Sequence, residues 1–252
     1  MNPINRVLAR GGLRIGRTQR VPRAFARTYH SQLGQLREAP PHGFGAVVPS
    51  FTYDAGDHPT LWWDFECAFA AEHIARVKPT NILDIGSIRS FITGLLAYYD
   101  VTTVDVRKRD PLLANETVIT SDAKRLDLPD ASFDVILSMC ALEHFGLGRY
   151  GDELDVDADT KAFAEMVRVL RPGGRLIFTT TLRNGEPVVA FNEQRIYNLD
   201  LIHTIAAPLT CEDERAYNRQ LQRFCSPGEL PLDEPVTSKS WWHIYCGCWV
   251  KS

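Results

Sequence analysis

The chain has 252 residues, 44% of them hydrophobic and 23% charged, with a formal net charge of −3. That is the composition of a globular protein with one sizeable core. No apolar stretch reaches the roughly 18 uninterrupted residues that a membrane-spanning helix needs, since the run around Phe91 to Tyr99 stops at Asp100. A soluble, cytoplasmic body is therefore expected.

The charge is unevenly spread. Residues 1–37 hold Arg6, Arg10, Arg14, Arg17, Arg20, Arg23, Arg27 and Arg37 and no acid. Such a basic arm fits a transit peptide, a segment touching anionic lipid or nucleic acid, or a solvated tail. Peripheral contact with a membrane surface is one expectation for it. Residues 38–60, rich in Pro, Gly and Asp, read as an irregular approach segment. The domain proper is expected over 61–252.

From Trp62 to Val77, the residues Phe65, Phe69, Ile74 and Val77 recur at helical spacing, and Lys78-Pro79 ends the run. Apolar stretches of strand length follow at Asn81–Ile85, Val101–Val106, Phe133–Met139 and Arg175–Thr180, separated by segments long enough for helical crossovers. Between the last two, Phe163, Met166, Val167 and Leu170 form an apolar stripe that Pro172-Gly173-Gly174 terminates. After a Pro/Gly-rich loop over Ser226–Lys239, Trp241–Val250 alternates as a late strand, expected to run antiparallel.

The fold class predicted is α/β: a doubly wound, Rossmann-like, seven-stranded, mostly parallel sheet with a late antiparallel strand and helices on both faces. The six cysteines show no C-x-x-C pair and no zinc spacing, so reduced thiols are expected and no metal site is called. Cys246 and Cys248, two apart in a strand, point to one face as small hydrophobes.

Open α/β sheets bind ligands at the carboxyl ends of their strands. Asn81–Ile85 runs into Gly86, where a missing side chain lets a ligand approach the backbone. The next strand ends in Val104-Asp105-Val106, and an acid about 20 residues past the glycine turn is placed to accept from both hydroxyls of a ribose. Asp84, Gly86 and Asp105 thus point to a nucleoside-containing ligand, without choosing between nicotinamide and other nucleosides.

The sequence then resembles the class I S-adenosylmethionine-dependent methyltransferase superfamily, in Ser121-Asp122-Ala123, in Pro129 to Ile136, and in Arg168-Val169-Leu170-Arg171-Pro172-Gly173-Gly174. The resemblance implies S-adenosylmethionine as the methyl donor. It implies a donor site formed by Asp84, Gly86, Ser87, Asp105, Val106, Asp122, Ala123 and Met139, with Asp122 toward the adenine amino group. The turn at Ser87–Ser90 departs from the superfamily's glycine-rich pattern.

A narrower resemblance, in Glu143 to Asp152 and in Phe191 to Tyr197, is to methyltransferase-like domains associated with bacterial surface polysaccharides. It implies a glycan or other small-molecule acceptor and O-methylation. His144, just past the fourth strand, is the candidate general base, with Glu143 orienting it. The alternatives are that this pair caps its loop, or that Glu143 joins Asp152 or Asp155 on a metal.

Arg149, Tyr150, Arg195 and Tyr197 suit a sugar or phosphorylated acceptor, although Arg195 equally suits a loop-holding ion pair. Other readings are a methyltransferase of a small metabolite, a donor-binding scaffold without catalysis, and a nicotinamide reductase. Base methylation of nucleic acid is disfavoured, because Met139-Cys140-Ala141-Leu142 stands where an Asn-Pro-Pro-Tyr type run is needed.

Overall fold

The computed structural model describes residues 22–43, 46–51, 60–232 and 242–252. The chain divides into two units, Met1–Pro59 and Thr60–Ser252. In the first, α1 spans Arg23–Glu38, a helix inside the segment read as a basic arm. Pro22 precedes it, and Phe25, Tyr29, Leu33 and Leu36 recur near helical spacing. The rings of Phe25 and Tyr29 meet Phe51 edge-on, at centroid distances of 5.5 and 4.8 Å. The arginines before residue 22 lie outside the described residues, as do Trp241 and residues 233–239 of the late loop.

The second unit is built on an eight-stranded sheet in the order β3-β2-β1-β4-β5-β10-β8-β9. Its strands are β1 (Asn81–Ile85), β2 (Asp100–Asp105), β3 (Glu116–Thr120), β4 (Phe133–Met139), β5 (Leu170–Leu182), β8 (Thr210–Asn218), β9 (Arg223–Cys225) and β10 (His243–Val250). The first five are mutually parallel, while β10 runs antiparallel between β5 and β8. The doubly wound sheet with its late antiparallel strand is as expected, but one strand larger. Short β9 pairs back onto β8 from Ala216↔Cys225 to Asn218↔Arg223. A separate hairpin, β6 (Val188–Ala190) with β7 (Gln194–Ile196), follows β5.

Strand periodicity divides the core into two faces. Toward one face point Leu83, Ile136, Leu176, Phe178 and Tyr245, packed with Ala162, Phe163, Met166 and Val169 of α4 (Ala158–Val169) and with Ile202 and Ala206 of α5 (Leu199–Ala206). Toward the other point Ile82, Val135, Leu137, Ile177 and Ile244, packed with Phe69, Ala70 and Ile74 of α2 (Trp62–Val77) and with Ile92 and Leu95 of α3 (Arg89–Leu95). Cys246 and Cys248 lie together in this second face as thiols. No described helix is long and apolar enough to cross a membrane.

Candidate functional site

At the carboxyl end of β1 the backbone turns through Gly86 at φ 67°, a conformation glycine adopts without a Cβ penalty. A Cβ there would stand 3.2 Å from the Cβ of Ala141, so the turn lies directly against the loop that follows β4. Ser87 N–H donates to Asp84 Oδ1 at 3.0 Å, and Ser87 Oγ accepts from Met139 N at 3.1 Å. Serine thus ties the turn to two strands where related turns use further glycines. Burial pushes the Asp84 carboxyl up to about 6, against the opposing hydrogen bonds from Ser87.

Beside this turn opens a cleft enclosing about 650 Å³ of space, open solvent included. It runs from Ser121, Asp122, Ala123 and Lys124 past Val104, Asp105, Val106 and Arg107 to Gly86, Cys140, Ala141, His144, Phe145, Gly146, Tyr150 and Asp152. Of the expected donor residues, Gly86, Asp105, Val106, Asp122 and Ala123 therefore share one surface. Asp84 and Ser87 line a neighbouring recess with Arg89, Lys108 and Arg109. Met139 lines neither: its side chain is buried in the second core face, and only its backbone reaches the Gly86 turn. Any contact of Met139 with a donor would therefore come from its backbone at the Gly86 turn and not from its side chain.

The carboxylate of Asp105 is engaged by Arg107, whose backbone N–H (2.8 Å) and Nε (3.0 Å) donate to Oδ1 and whose Nη2 (2.8 Å) donates to Oδ2. Burial acts to raise this carboxyl, but the bonds from Arg107 outweigh it and hold it below the ordinary range. The Arg107 guanidinium lies 4.8 Å from the Tyr150 ring centroid, and Arg149 lies 5.4 Å from it. Asp122 Oδ1 accepts from Lys124 N at 2.9 Å, and Lys124 Nζ reaches both Asp122 (3.3 Å) and Asp155 (3.2 Å).

The loop after β4 carries the candidate chemistry. Cys140 sits at φ 46°, an uncommon conformation for a residue with a Cβ, and the 3₁₀ turn Leu142–His144 follows. The hydrogen-bond network assigns the proton of His144 to Nδ1, which donates to the Glu193 carbonyl at 2.7 Å. Arg149 Nη1 shares that acceptor at 3.2 Å. Nε2 carries the ring's lone pair, has the donor Arg149 Nη1 3.3 Å away, and lies 4.0 Å from Glu143 Oε1. Burial, with Arg149 adding to it, lowers His144 to about 4, so the ring is neutral at physiological pH. Burial also raises Glu143 to about 7, opposed by the Thr180 hydroxyl that donates at 3.1 Å.

Two expected acceptor-binding residues are placed elsewhere. Arg195 is 8% exposed and spends its donors on the loop: Nη1 on Phe145 O (2.6 Å), and Nη2 on Val156 O (3.1 Å) and Asp155 O (3.3 Å), with Nε 3.4 Å from Asp159. Tyr197 is buried, and its hydroxyl donates to Asp159 Oδ2 at 2.8 Å. Neither lines the cleft. Of the two alternatives for Arg195, the loop-holding one matches these contacts, because a segment with so many backbone carbonyls turned inward needs buried donors.

The acidic run is likewise committed to loop geometry. Asp152 accepts from Tyr150 N and Gly148 N, and Asp155 pairs with Lys124 and Lys161. Gly146, at φ 68°, lies so close to Asp155 O and Ala158 that no Cβ fits there. The sequence reading missed Glu66, buried on α2, whose Oε1 accepts from Cys140 Sγ at 2.7 Å. It also missed Arg107 and Lys124. The two basic residues stand two positions from Asp105 and Asp122 and were findable, whereas Glu66 gave no local signal.

Residues 83–178 match the family described as "Methyltransferase domain". Malonyl-[acyl-carrier protein] O-methyltransferases of Halorhodospira halophila and Methylococcus capsulatus are both 32% identical to this chain, over 117 and 114 residues. These matches cover 42% and 40% of the chain but only 36% and 38% of the relatives.

Among solved structures, the Burkholderia thailandensis 1,6-didemethyltoxoflavin-N1-methyltransferase, crystallised with S-adenosylhomocysteine, superposes with a TM-score of 0.53 at 16% identity over 94% of both chains. The N-methyltransferase NodS of Bradyrhizobium japonicum superposes with a TM-score of 0.51 at 16% identity, over 75% of this chain and 86% of that one. At such identities these two likenesses show the fold alone, a Rossmann-like α/β methyltransferase fold.

Proposed function

We propose that this chain, whose residues 83–178 match the methyltransferase-domain family, is a class I S-adenosylmethionine-dependent enzyme that transfers the donor's methyl group to an oxygen atom, with a sugar or sugar-like hydroxyl as acceptor. Three features of the cleft fit the donor: the carboxylate of Asp105, suited to a ribose, the open backbone at Gly86, and the lining of Asp122 and Ala123 beside them. S-adenosylmethionine brings a methyl group on a good leaving group, so the chain's main task is to hold an acceptor oxygen in line with that methyl.

The observation that carries the oxygen assignment is His144. A hydroxyl must lose its proton as the new bond forms, which calls for a base at the methyl end of the cleft. His144 lines the cleft as a neutral ring with its tautomer held by Glu193, which leaves Nε2, now approached by Arg149 Nη1, as the nitrogen able to take a proton. An ionised carboxylate acceptor would need no such base. Arg149, beside the His144 ring, and Tyr150, edge-on to it, offer charge-assisted bonds and a ring face to a polar acceptor. The curated relatives' names supply independent support for an oxygen acceptor.

The test uses S-adenosylmethionine carrying a labelled methyl group, offered with a panel of sugar nucleotides and simple glycosides. Label is expected in an ether that survives mild alkali. Replacing His144 with Ala should lower transfer about 10²–10⁴-fold while donor affinity changes little. Label released by mild alkali would mark a carboxyl acceptor and overturn the hydroxyl reading; a folded chain that binds neither donor nor product would favour the scaffold reading.

A further inference from the structure

Beneath the cleft lies a group of buried acids that the reading above does not use. Glu66, at 0% exposure, reaches up from α2, and Glu143, at 1%, comes down from the 3₁₀ turn. Cys140 lines the cleft and stands between them: its Sγ donates to Glu66 Oε1 at 2.7 Å, and its backbone N–H donates to Thr179 O at 3.0 Å. Thr180 Oγ1 donates to Glu143 Oε2 at 3.1 Å. Among the described residues neither carboxyl forms an ion pair with Arg or Lys, and Glu66 Oε2 has no hydrogen-bond partner in the protein. Two like carboxyls out of water, neither of them directly paired and with Arg149 only partly offsetting the burial of Glu143, do not both ionise.

This rests on the methyltransferase reading, in which the donor enters as a sulfonium cation and leaves as a neutral thioether. We propose that the Glu66–Cys140–Glu143 cluster balances that charge: it gives up a proton when the cationic donor enters the cleft and regains one on methyl transfer, so donor and product are distinguished by charge. The balance closes. The carbon–sulfur bond breaks with its electron pair on sulfur, and the carbon–oxygen bond forms. The hydroxyl proton passes to His144 Nε2 and then to Glu143 Oε1 once a small ring rotation or one bridging water closes the 4.0 Å between them. The proton expelled to solvent on donor binding is thereby replaced by the acceptor's own.

Burial holds Glu66 up at about 8 and Glu143 at about 7, and each carboxyl disfavours ionisation of the other. The groups that face them are Thr179 and Thr180 on β5, His144 and Arg149 on the loop, Tyr197 beyond β7, and Cys246 on β10, behind which stand Arg215 and Asp213. His144 is neutral in the range of interest. Asp84, at about 6, also titrates beside the site. Its response to the donor's amino group is common to donor and product and cancels in their difference.

The experiment is calorimetric titration at about pH 6, below the values for both glutamates, in two buffers of unlike protonation enthalpy, with S-adenosylmethionine and S-adenosylhomocysteine. The donor is expected to expel more protons than the product, the excess approaching about one per site. Glu143→Gln should abolish the excess and weaken donor relative to product about tenfold, and Glu66→Gln should reduce it. Should these variants fail to fold, the infrared carbonyl band of protonated carboxyls in the wild-type chain decides: it should lose intensity with the donor and keep it with the product. Equal proton release by both ligands, or a band that neither or both diminish, overturns the proposal while leaving donor binding, and so the methyltransferase reading, intact. Failure of both ligands to bind overturns that reading and this one together.

Discussion

Replacing Asp105 with Ala tests the proposed contact with the donor's ribose. Its carboxylate ends β2 with 15% of the side chain exposed, and three donors of Arg107 already bond to it. A ribose has to compete with Arg107 for those oxygens. Hydrogen bonds to a charged acceptor contribute about 1.5–3 kcal/mol, so Asp105→Ala should weaken S-adenosylhomocysteine about 10-fold to 150-fold.

The Arg107 side chain is 61% exposed, and pairs so exposed are worth only about 0–1 kcal/mol. Arg107→Ala should therefore tighten binding by at most about fivefold. Calorimetry on wild type and both variants measures all three affinities. Unchanged binding in Asp105→Ala would refute the ribose assignment. Weakening in Arg107→Ala as large as in Asp105→Ala would refute the competition and make Arg107 a ligand contact.

Two further outcomes concern stability. Glu66 is buried and raised from 4.5 to about 8, so the folded chain holds a proton that the unfolded chain releases. Its contribution is fully present below about pH 4.5 and is lost as pH rises through about 8. Urea unfolding should show a decline of on the order of 1–4 kcal/mol between about pH 5 and 8.5, flattened in Glu66→Gln; equal slopes would refute the buried-acid assignment. Arg195→Ala strips donors from three loop carbonyls and should cost about 2–3 kcal/mol while reducing donor affinity through the loosened loop. Unchanged stability with a raised acceptor KM alone would restore Arg195 to the acceptor site.

Much of the scaffold was legible because periodicity is a local property. Phe163, Met166 and Val169 recur at the spacing of a helix face, Ile82 and Leu83 alternate between the two core faces, and Gly86 marks where a backbone must turn without a Cβ. Asp105 could be found because a strand of known length ends there. What escaped is equally particular. β3 is short and polar, and β9 exists only because β8 offers it an edge.

Arg195 and Tyr197 carry side chains that suit a ligand, yet they face Asp159 and the carbonyls of a loop some 40–50 positions away in sequence. Glu66 and Cys140, 74 positions apart, meet only because α2 packs across the carboxyl end of β4. Side-chain chemistry and local spacing are written along the chain, so element type and the strand edge at which the cleft opens could be read from it. Which polar groups lie buried together, and so which carboxyls hold protons and which arginines are already engaged, depends on desolvation and contacts that arise only when distant segments pack.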